Sequence, residues 1–410
     1  MRKQATIKFF CVMALAMMLA AGLVGQAWCE EKKELAFGAI IHVTGAYAAG
    51  QAGVLDGHLD CIKTLNAMNY IPGATLKALW VDGGTDAAKS LAGLKKMLAE
   101  DPKPLAVHGE STPIGLALKK WFVKAKVPAV EAGSDDKMGE KPSWTFSPPC
   151  PNVNFCGAWV DYFLSHIWKD KSRKPRFAFL TWDNAWGRSP ITPKVKKYIE
   201  SKGVEIVAEE FIPLVPTDVS AQLMRLKEKK VDFTYGGFYA NAFAVVLNDA
   251  EKLGLVDDIT FGVGYASTPE ALIKYAGDRT RNTWVVAPSF PQSVLLGENK
   301  IPVIAKAYKD GGYNKFPLVI YAHGFAMTSI MVEAARMAAE KVGVQKVDGQ
   351  AMYDALKRMK NYNAMGFMAP ISFDSGRWFG QDQCVLVRIQ DQKIVYEGLI
   401  PAPDLTVKYD

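Results

Sequence analysis

Six short segments of this chain place hydroxyls, carboxylates, glycines or aromatic rings directly after apolar runs. "HVTGAY" carries Thr44 and Tyr47, "HGEST" carries Glu110, Ser111 and Thr112, and "EAGSDD" carries Gly133, Ser134 and Asp135. Later in the chain, "WDNAWG" carries Asp183 and Trp186, "GGFYAN" carries Phe238 and Tyr239, and "GVGYAS" carries Gly264 and Tyr265. The first three offer hydroxyls and the free backbone amides of a helix start, which suit a small anion such as a carboxylate. The last three offer rings, which suit an apolar ligand body. A plainer role exists for several of them. Ser111 and Thr112 could cap the helix that follows, and Trp182, preceded by apolar residues, could pack in a core. Trp186, in a loop ahead of a helix, is better placed to meet a ligand.

Signatures of catalysis fail on inspection. "GGTDAAKS" has Ala88 where a phosphate-binding loop needs glycine, and "GVGYAS" lacks the third glycine of a dinucleotide fingerprint. "GEST" puts Pro113 where a nucleophile elbow has its second glycine. Asp135 and Asp183 have no spacing that makes them an acid pair. An exported hydrolase using Ser111 or Asp183 stands as the alternative enzyme reading. The five histidines show no HxxxH spacing and no Cys/His cluster suggests zinc, so no metal site is expected. Cys150 and Cys156, close together in "PPCPNVNFC", are a possible disulfide.

The elements that must position these residues alternate with regularity. Apolar runs such as "LAFGAII", "TLKALWVD", "PLAVHG" and "VPAVEAG" alternate with helical stretches such as "TDAAKSLAGLKKMLAE" and "PIGLALKKWFVKA". After the Pro-rich "SPPCP" a second set follows, through "RFAFLTW", "VEIVAEEF", "VDFTYGG" and "ITFGVG". Strands alternating with helices imply parallel βαβ units, here in two α/β domains. Two long helices are expected near 317–341 and 349–360, and a hairpin turning at Gln390–Asp391–Gln392. In open α/β sheets ligands bind beyond the carboxyl ends of the strands, where the six segments fall.

Composition narrows the classes further. Hydrophobic residues make up 49% and charged residues 22% of 410, an ordinary globular balance. The start has the layout of a secretory signal peptide, with Arg2, Lys3 and Lys8 ahead of an apolar run from Phe9 to Gly25. Bulky Trp28 argues against lipid attachment at Cys29. No stretch beyond this leader is expected to span a bilayer. Losing the leader's basic residues lowers the formal net charge from +7 to about +4. With lysines and acids mixed and no basic stripe, no nucleic-acid partner is expected.

Taken in order, "GAIIHVTGAYAAGQAG", "LAVHGESTPIGLALKKWFVKAKVPAVEAGS", "FAFLTWDNAWGRS", "VDFTYGGFYANA" and "ITFGVGYAS" resemble the periplasmic solute-binding proteins of ABC transporters, of the branched-chain amino-acid-binding type, over roughly residues 34–400. The resemblance implies the type I periplasmic binding fold: two Rossmann-like doubly wound α/β domains joined by three hinge crossings, with a ligand cleft between them. Crossings near 148, 286 and 366 would make an N-terminal lobe of 30–148 plus 286–365 and a C-terminal lobe of 149–285 plus 366–410, after a leader of 1–29. Closure by hinge rotation is the mode of periplasmic binding proteins. The family performs no chemistry and needs no cofactor. The partners implied are a small-molecule ligand and an ABC permease in the inner membrane, with the protein a periplasmic monomer.

Residue by residue, the resemblance implies that Ser111 and Thr112, with Ser134 and Asp135, receive a ligand carboxylate. Trp186 in "DNAWG" takes the place of a pocket aromatic, and Phe238 and Tyr239 line the other side. Two departures stand out. Gly264 and Tyr265 fall where amino-acid-binding members carry an acid for the ligand ammonium, and no acid follows until Glu270. Asp135 stands where a threonine is common, and an anion there opposes a carboxylate ligand. The ammonium partner is then Asp135, Glu110 or Asp183, or else the solute is an apolar or aromatic carboxylate, or an amide or urea-like solute. A ligand-sensing receptor module is the alternative use of such a fold.

Overall fold

The computed structural model describes residues 31–264, 268–314 and 317–407. The leader, Cys29 and Tyr265 lie outside the described residues. Two sheets carry the architecture. The first contains β1 (Lys33–Ile41), β2 (Ala74–Asp82), β3 (Ala106–Gly109), β4 (Ala129–Glu131) and β5 (Thr145–Phe146) in the order β2-β1-β3-β4-β5. The second contains β6 (Arg176–Trp182), β7 (Glu205–Ile212), β8 (Phe233–Gly236), β9 (Thr260–Gly264), β10 (Thr283–Ala287), β11 (Gln383–Gln390) and β12 (Lys393–Pro401), in the order β12-β11-β10-β9-β8-β6-β7. Its neighbours from β7 to β10 run parallel. β11 and β12 add an antiparallel edge.

Both sheets repeat one winding order, so each reverses direction once, between β1 and β3 and between β6 and β8. Such a reversal leaves a crevice at the strand ends where loops diverge. Every residue of β3, β4, β8, β9 and β10 is buried, as parallel strands covered on both faces must be. The loops that follow these strands therefore leave a rigid base.

The helices that position the site are α1 (Val54–Ala67), α2 (Thr112–Ala125), α3 (Asn152–Tyr162), α4 (Ala185–Arg188), α5 (Ala240–Lys252) and α6 (Leu318–Val342). Helix α6 corrects one expectation. Its most apolar stretch has a mean hydropathy of 1.4, enough by length and composition to cross a membrane, and 89% of that stretch is buried in the protein. Its composition alone would allow it to cross a bilayer, but it is apolar all round because protein surrounds it. Two glycines set how near α1 comes. A Cβ on Gly57 would lie 2.1 Å from the Tyr321 carbonyl oxygen, and one on Gly324 would lie 2.0 Å from that of Val54.

The hairpin forms where expected. β11 ends at Gln390 and β12 begins at Lys393, with Asp391 and Gln392 at φ 50° and 56°. Two left-handed residues in a two-residue loop match the twist of the paired strands. The possible disulfide does not form. Cys150 and Cys156 are separate buried thiols. Cys156 sits within α3, Cys150 lies ahead of its extended N-cap Pro151, and both pack into an apolar cluster. Burial raises both thiols, which keeps them protonated and inert.

Candidate functional site

The two crevices meet in one cavity. Its non-atom space is about 790 Å³ counting the open mouth, of which about 100 Å³ is open to the centre of a water-sized sphere. A space of this order, open at its mouth, suits a small organic molecule. Residues from the loops after β1, β3 and β4 face residues from the loops after β6, β8, β9 and β10, and helix α6 contributes as well.

The wall from the first sheet is polar. Ser111 occupies the N-cap of α2 in extended geometry, yet its side chain makes no capping hydrogen bond. Its Oγ is buried and makes no hydrogen bond of normal geometry, with the Tyr47 phenol close enough to feel it. Thr112 Oγ1 accepts from Ser134 N at 3.0 Å. The capping role open to both hydroxyls is thus taken by neither. The start of a 14-residue helix is left with an unused hydroxyl beside it, an arrangement that favours an anion.

Behind Ser111 lies a group of acids and histidines. Glu110 Oε1 is met by His108 Nε2 and, at 2.9 Å, by His323 Nε2 on α6. Burial pushes the Glu110 carboxyl up, but the charges and hydrogen bonds of His323 and His108 outweigh it and hold the group well below the usual carboxylate range. Its neighbour Glu131 goes the other way. Burial, reinforced by the Glu110 charge, lifts Glu131 to about 8, with the Ser111 backbone N–H partly offsetting. Room for Glu131 comes from Gly109, where a Cβ would lie 2.1 Å from Glu131 Oε1. The donor atoms of His108, Glu110 and His323 all lie within 4.8 Å of one another, the residues here that could hold a metal ion.

The wall from the second sheet is aromatic. Trp182 and Trp186 meet edge to face with centroids 6.0 Å apart, and Trp182 and Tyr239 do so at 5.0 Å. Trp182 closes β6, and Trp186 sits in α4, whose N-cap Asn184 accepts from Gly187 N at 2.8 Å. A Cβ on Gly237 would lie 3.0 Å from the Trp186 ring, so this glycine, just after β8, makes the seat for that indole. Asn152 Nδ2 on α3 donates to the Trp186 carbonyl at 3.0 Å and fixes its backbone.

The walls touch directly. Gln51 Nε2 donates to the Glu110 carbonyl at 3.1 Å and to Tyr239 Oη at 3.0 Å, while its Oε1 accepts from His42 N at 2.9 Å. Asn184 Nδ2 reaches Tyr47 Oη at 3.4 Å. Tyr47 and Tyr239 pack edge to face at 5.8 Å. Absence of a side chain at Gly50 lets Tyr239 approach, since a Cβ there would lie 2.6 Å from its ring.

Of the residues singled out from sequence, Tyr47, Glu110, Ser111, Thr112, Gly133, Trp186 and Tyr239 line the cavity. Others do not. Ser134 is fully buried behind Thr112. Asp135 caps a short turn by accepting from Lys137 N at 2.8 Å. Asp183 is exposed and paired with Arg188 at 2.6 Å. Phe238 is turned into the core, stacked on Phe243 at 5.3 Å, and Gly264 ends β9 beneath the Trp186 ring. Glu270 accepts from Gln292 N at 3.0 Å and stays off the cavity. Glu110 is the one carboxylate among the described lining residues.

Sequence reasoning assigned Trp182 no place in the site and passed over Asn184, Thr268, Ser289, His323 and Phe367, all of which line it. Trp182 had a signal, as the last residue of a strand. His323 had a weaker one, a single imidazole within "LVIYAHGFAM". Asn184 lies between Asp183 and Trp186 and Thr268 directly follows "GVGYAS", both within reach of the strand-end rule, whereas Ser289 and Phe367 sit in later segments that return to the cavity.

A family model described as periplasmic binding protein matches residues 34–393, and the chain belongs to that family. Among curated relatives, a Leu/Ile/Val-binding protein homolog 1 of Brucella abortus is 22% identical over 367 residues, covering 89% of this chain and 91% of the relative. A leucine-, isoleucine-, valine-, threonine- and alanine-binding protein of Pseudomonas aeruginosa is 24% identical over 243 residues, 58% of this chain and 62% of the relative. Among solved structures, a branched-chain amino acid ABC transporter protein from Thermus thermophilus with bound valine superposes with a TM-score of 0.79 at 18% identity, covering 91% of this chain and 97% of that one. A fatty acid ABC transporter substrate-binding protein from Thermomonospora curvata gives 0.78 at 17%, covering 91% and 94%. The expected fold class, two lobes of parallel α/β sheet of the type I periplasmic binding kind, is the fold found.

Proposed function

We propose that this protein captures a small apolar or aromatic carboxylate, or an amino acid of the branched-chain type, and delivers it to an ABC permease from the periplasm as a monomer. The lobes are residues 30–148 with 286–365 and residues 149–285 with 366–410, closing on the solute by hinge rotation. The observation that carries this reading is the unlike pair of walls: an unused hydroxyl at a helix start faces a set of packed indole and phenol rings across about 100 Å³. The solute carboxylate sits at Ser111 and the start of α2, and its body lies against Trp182, Trp186 and Tyr239. Contacts to both walls form only when the lobes meet, and their free energy drives closure.

A thermal-shift panel of aliphatic amino acids, aromatic amino acids, benzoate-like acids and simple amides tests this. At least one carboxylate class should raise the melting temperature in a concentration-dependent way. Shifts with amides alone would remove the carboxylate from the assignment.

A further inference from the structure

We propose that His108, Glu110 and His323 form a binding site for a divalent first-row transition metal ion of the Zn²⁺ kind, set in the cavity wall with its open coordination facing the solute. Imidazole nitrogen and carboxylate oxygen are the donors such ions take, and three protein donors leave a position open for a further ligand. The three donor atoms already lie within 4.8 Å of one another. Glu110 Oε1 and His323 Nε2 are 2.9 Å apart, and His108 Nε2 is closer still. Bonds of about 2.0–2.2 Å place tetrahedral donors about 3.3 Å from one another, so small side-chain shifts suffice. The backing is rigid: His108 is in the buried strand β3, Glu110 follows that strand, and His323 is held on α6.

Charge gives the second argument. No Lys or Arg is among the described residues lining the cavity, and Glu110 is its one carboxylate. A divalent cation held by these three donors would add positive charge beside Ser111, and its open position would let the solute's carboxylate complete the coordination. Buried Ser111 Oγ, which makes no hydrogen bond of normal geometry, stands beside this position as a donor to the same carboxylate. His108 Nδ1 is also unpartnered, so this imidazole lacks the outer hydrogen bond that usually supports a metal ligand. Affinity about 10–100-fold below that of a fully supported site is expected.

The test uses untagged, chelator-stripped protein titrated with Zn²⁺ alone by calorimetry, and with Co²⁺ followed by its visible absorption. One equivalent should bind to the wild type, and His323→Ala should weaken it at least 100-fold while far-UV circular dichroism stays unchanged. Glu110→Gln serves as a second variant, with His323→Asn in reserve if the alanine variant does not fold. No stoichiometric binding by the wild type, or binding undiminished in the folded variants, overturns the proposal. Because no organic ligand is present in the titration, either result leaves the solute reading to its own test.

Discussion

The two walls of the cavity are built from the same fold unit and do different work. Both sheets wind in one order and open at one reversal point, yet the first ends in hydroxyls, a carboxylate and imidazoles and the second in indoles and phenols. Polar atoms on the first wall include buried groups without a hydrogen bond of normal geometry, Ser111 Oγ and Glu131 Oε2 among them. On the second wall the rings pack edge to face, and there too one buried polar atom, Trp182 Nε1, has no hydrogen-bond partner. The lesson is that one scaffold can supply orientation from one copy and cover from the other, because loop chemistry at a strand end is independent of the strand.

The largest effect expected from breaking this contrast is at Trp182. Its side chain is 2% exposed, so Trp182→Ala should cost about 3–5 kcal/mol of stability in chemical denaturation. Loss of that size would mark this ring as shared between core and site, whereas a change under 1 kcal/mol would make it a lining residue only.

Second comes the acid pair behind the polar wall. Glu131 is raised from its ordinary 4.5 to about 8, so between those values the folded protein binds more protons than the unfolded one. Stability from this group is full below about pH 4.5 and is lost progressively as pH rises to about 8. Glu131→Gln should flatten the decline in melting temperature across that window. A decline as steep in the variant would show that Glu131 is not the group responsible.

Tenfold effects on binding, about 1.4 kcal/mol, are expected at both Ser111→Ala and Trp186→Ala, measured by calorimetry with whichever solute the thermal-shift panel identifies. Ser111→Ala should leave stability unchanged, since the side chain makes no cap. The two walls also predict different patterns: Ser111→Ala should penalise acids over their amides, and Trp186→Ala should penalise large bodies over small ones. Equal losses for every solute at both positions would erase the distinction between the walls. The smallest effect belongs to Asp183→Asn. This exposed partner of Arg188 should leave both stability and affinity unchanged, as solvent-screened surface pairs do; a clear loss of affinity would bring the carboxylate back into the site.

Much of this was readable in one dimension. Alternating apolar strands and helices, the end of each strand and the Asp391–Gln392 turn are local patterns, and the segments after strands did hold Tyr47, Glu110, Ser111, Trp186 and Tyr239. Side-chain direction was not readable in this way. Phe238 and Tyr239 are adjacent in sequence, but one turns into the core and the other into the cavity. Asp135 and Asp183 are at the right loops yet point their carboxylates to local donors. Cys150 and Cys156 are near in number, yet both pack into the core as separate thiols.

The sequence alone determined which elements form and which end of each strand carries chemistry, because propensity, apolar period and turn residues act over a few neighbours. Tertiary structure alone decided that His323 joins His108 at Glu110, that Gln51 links Tyr239 to the first sheet, and that a 25-residue apolar helix is core. Those contacts join residues from distant parts of the chain, and only the packing of one element on another sets which side chains meet.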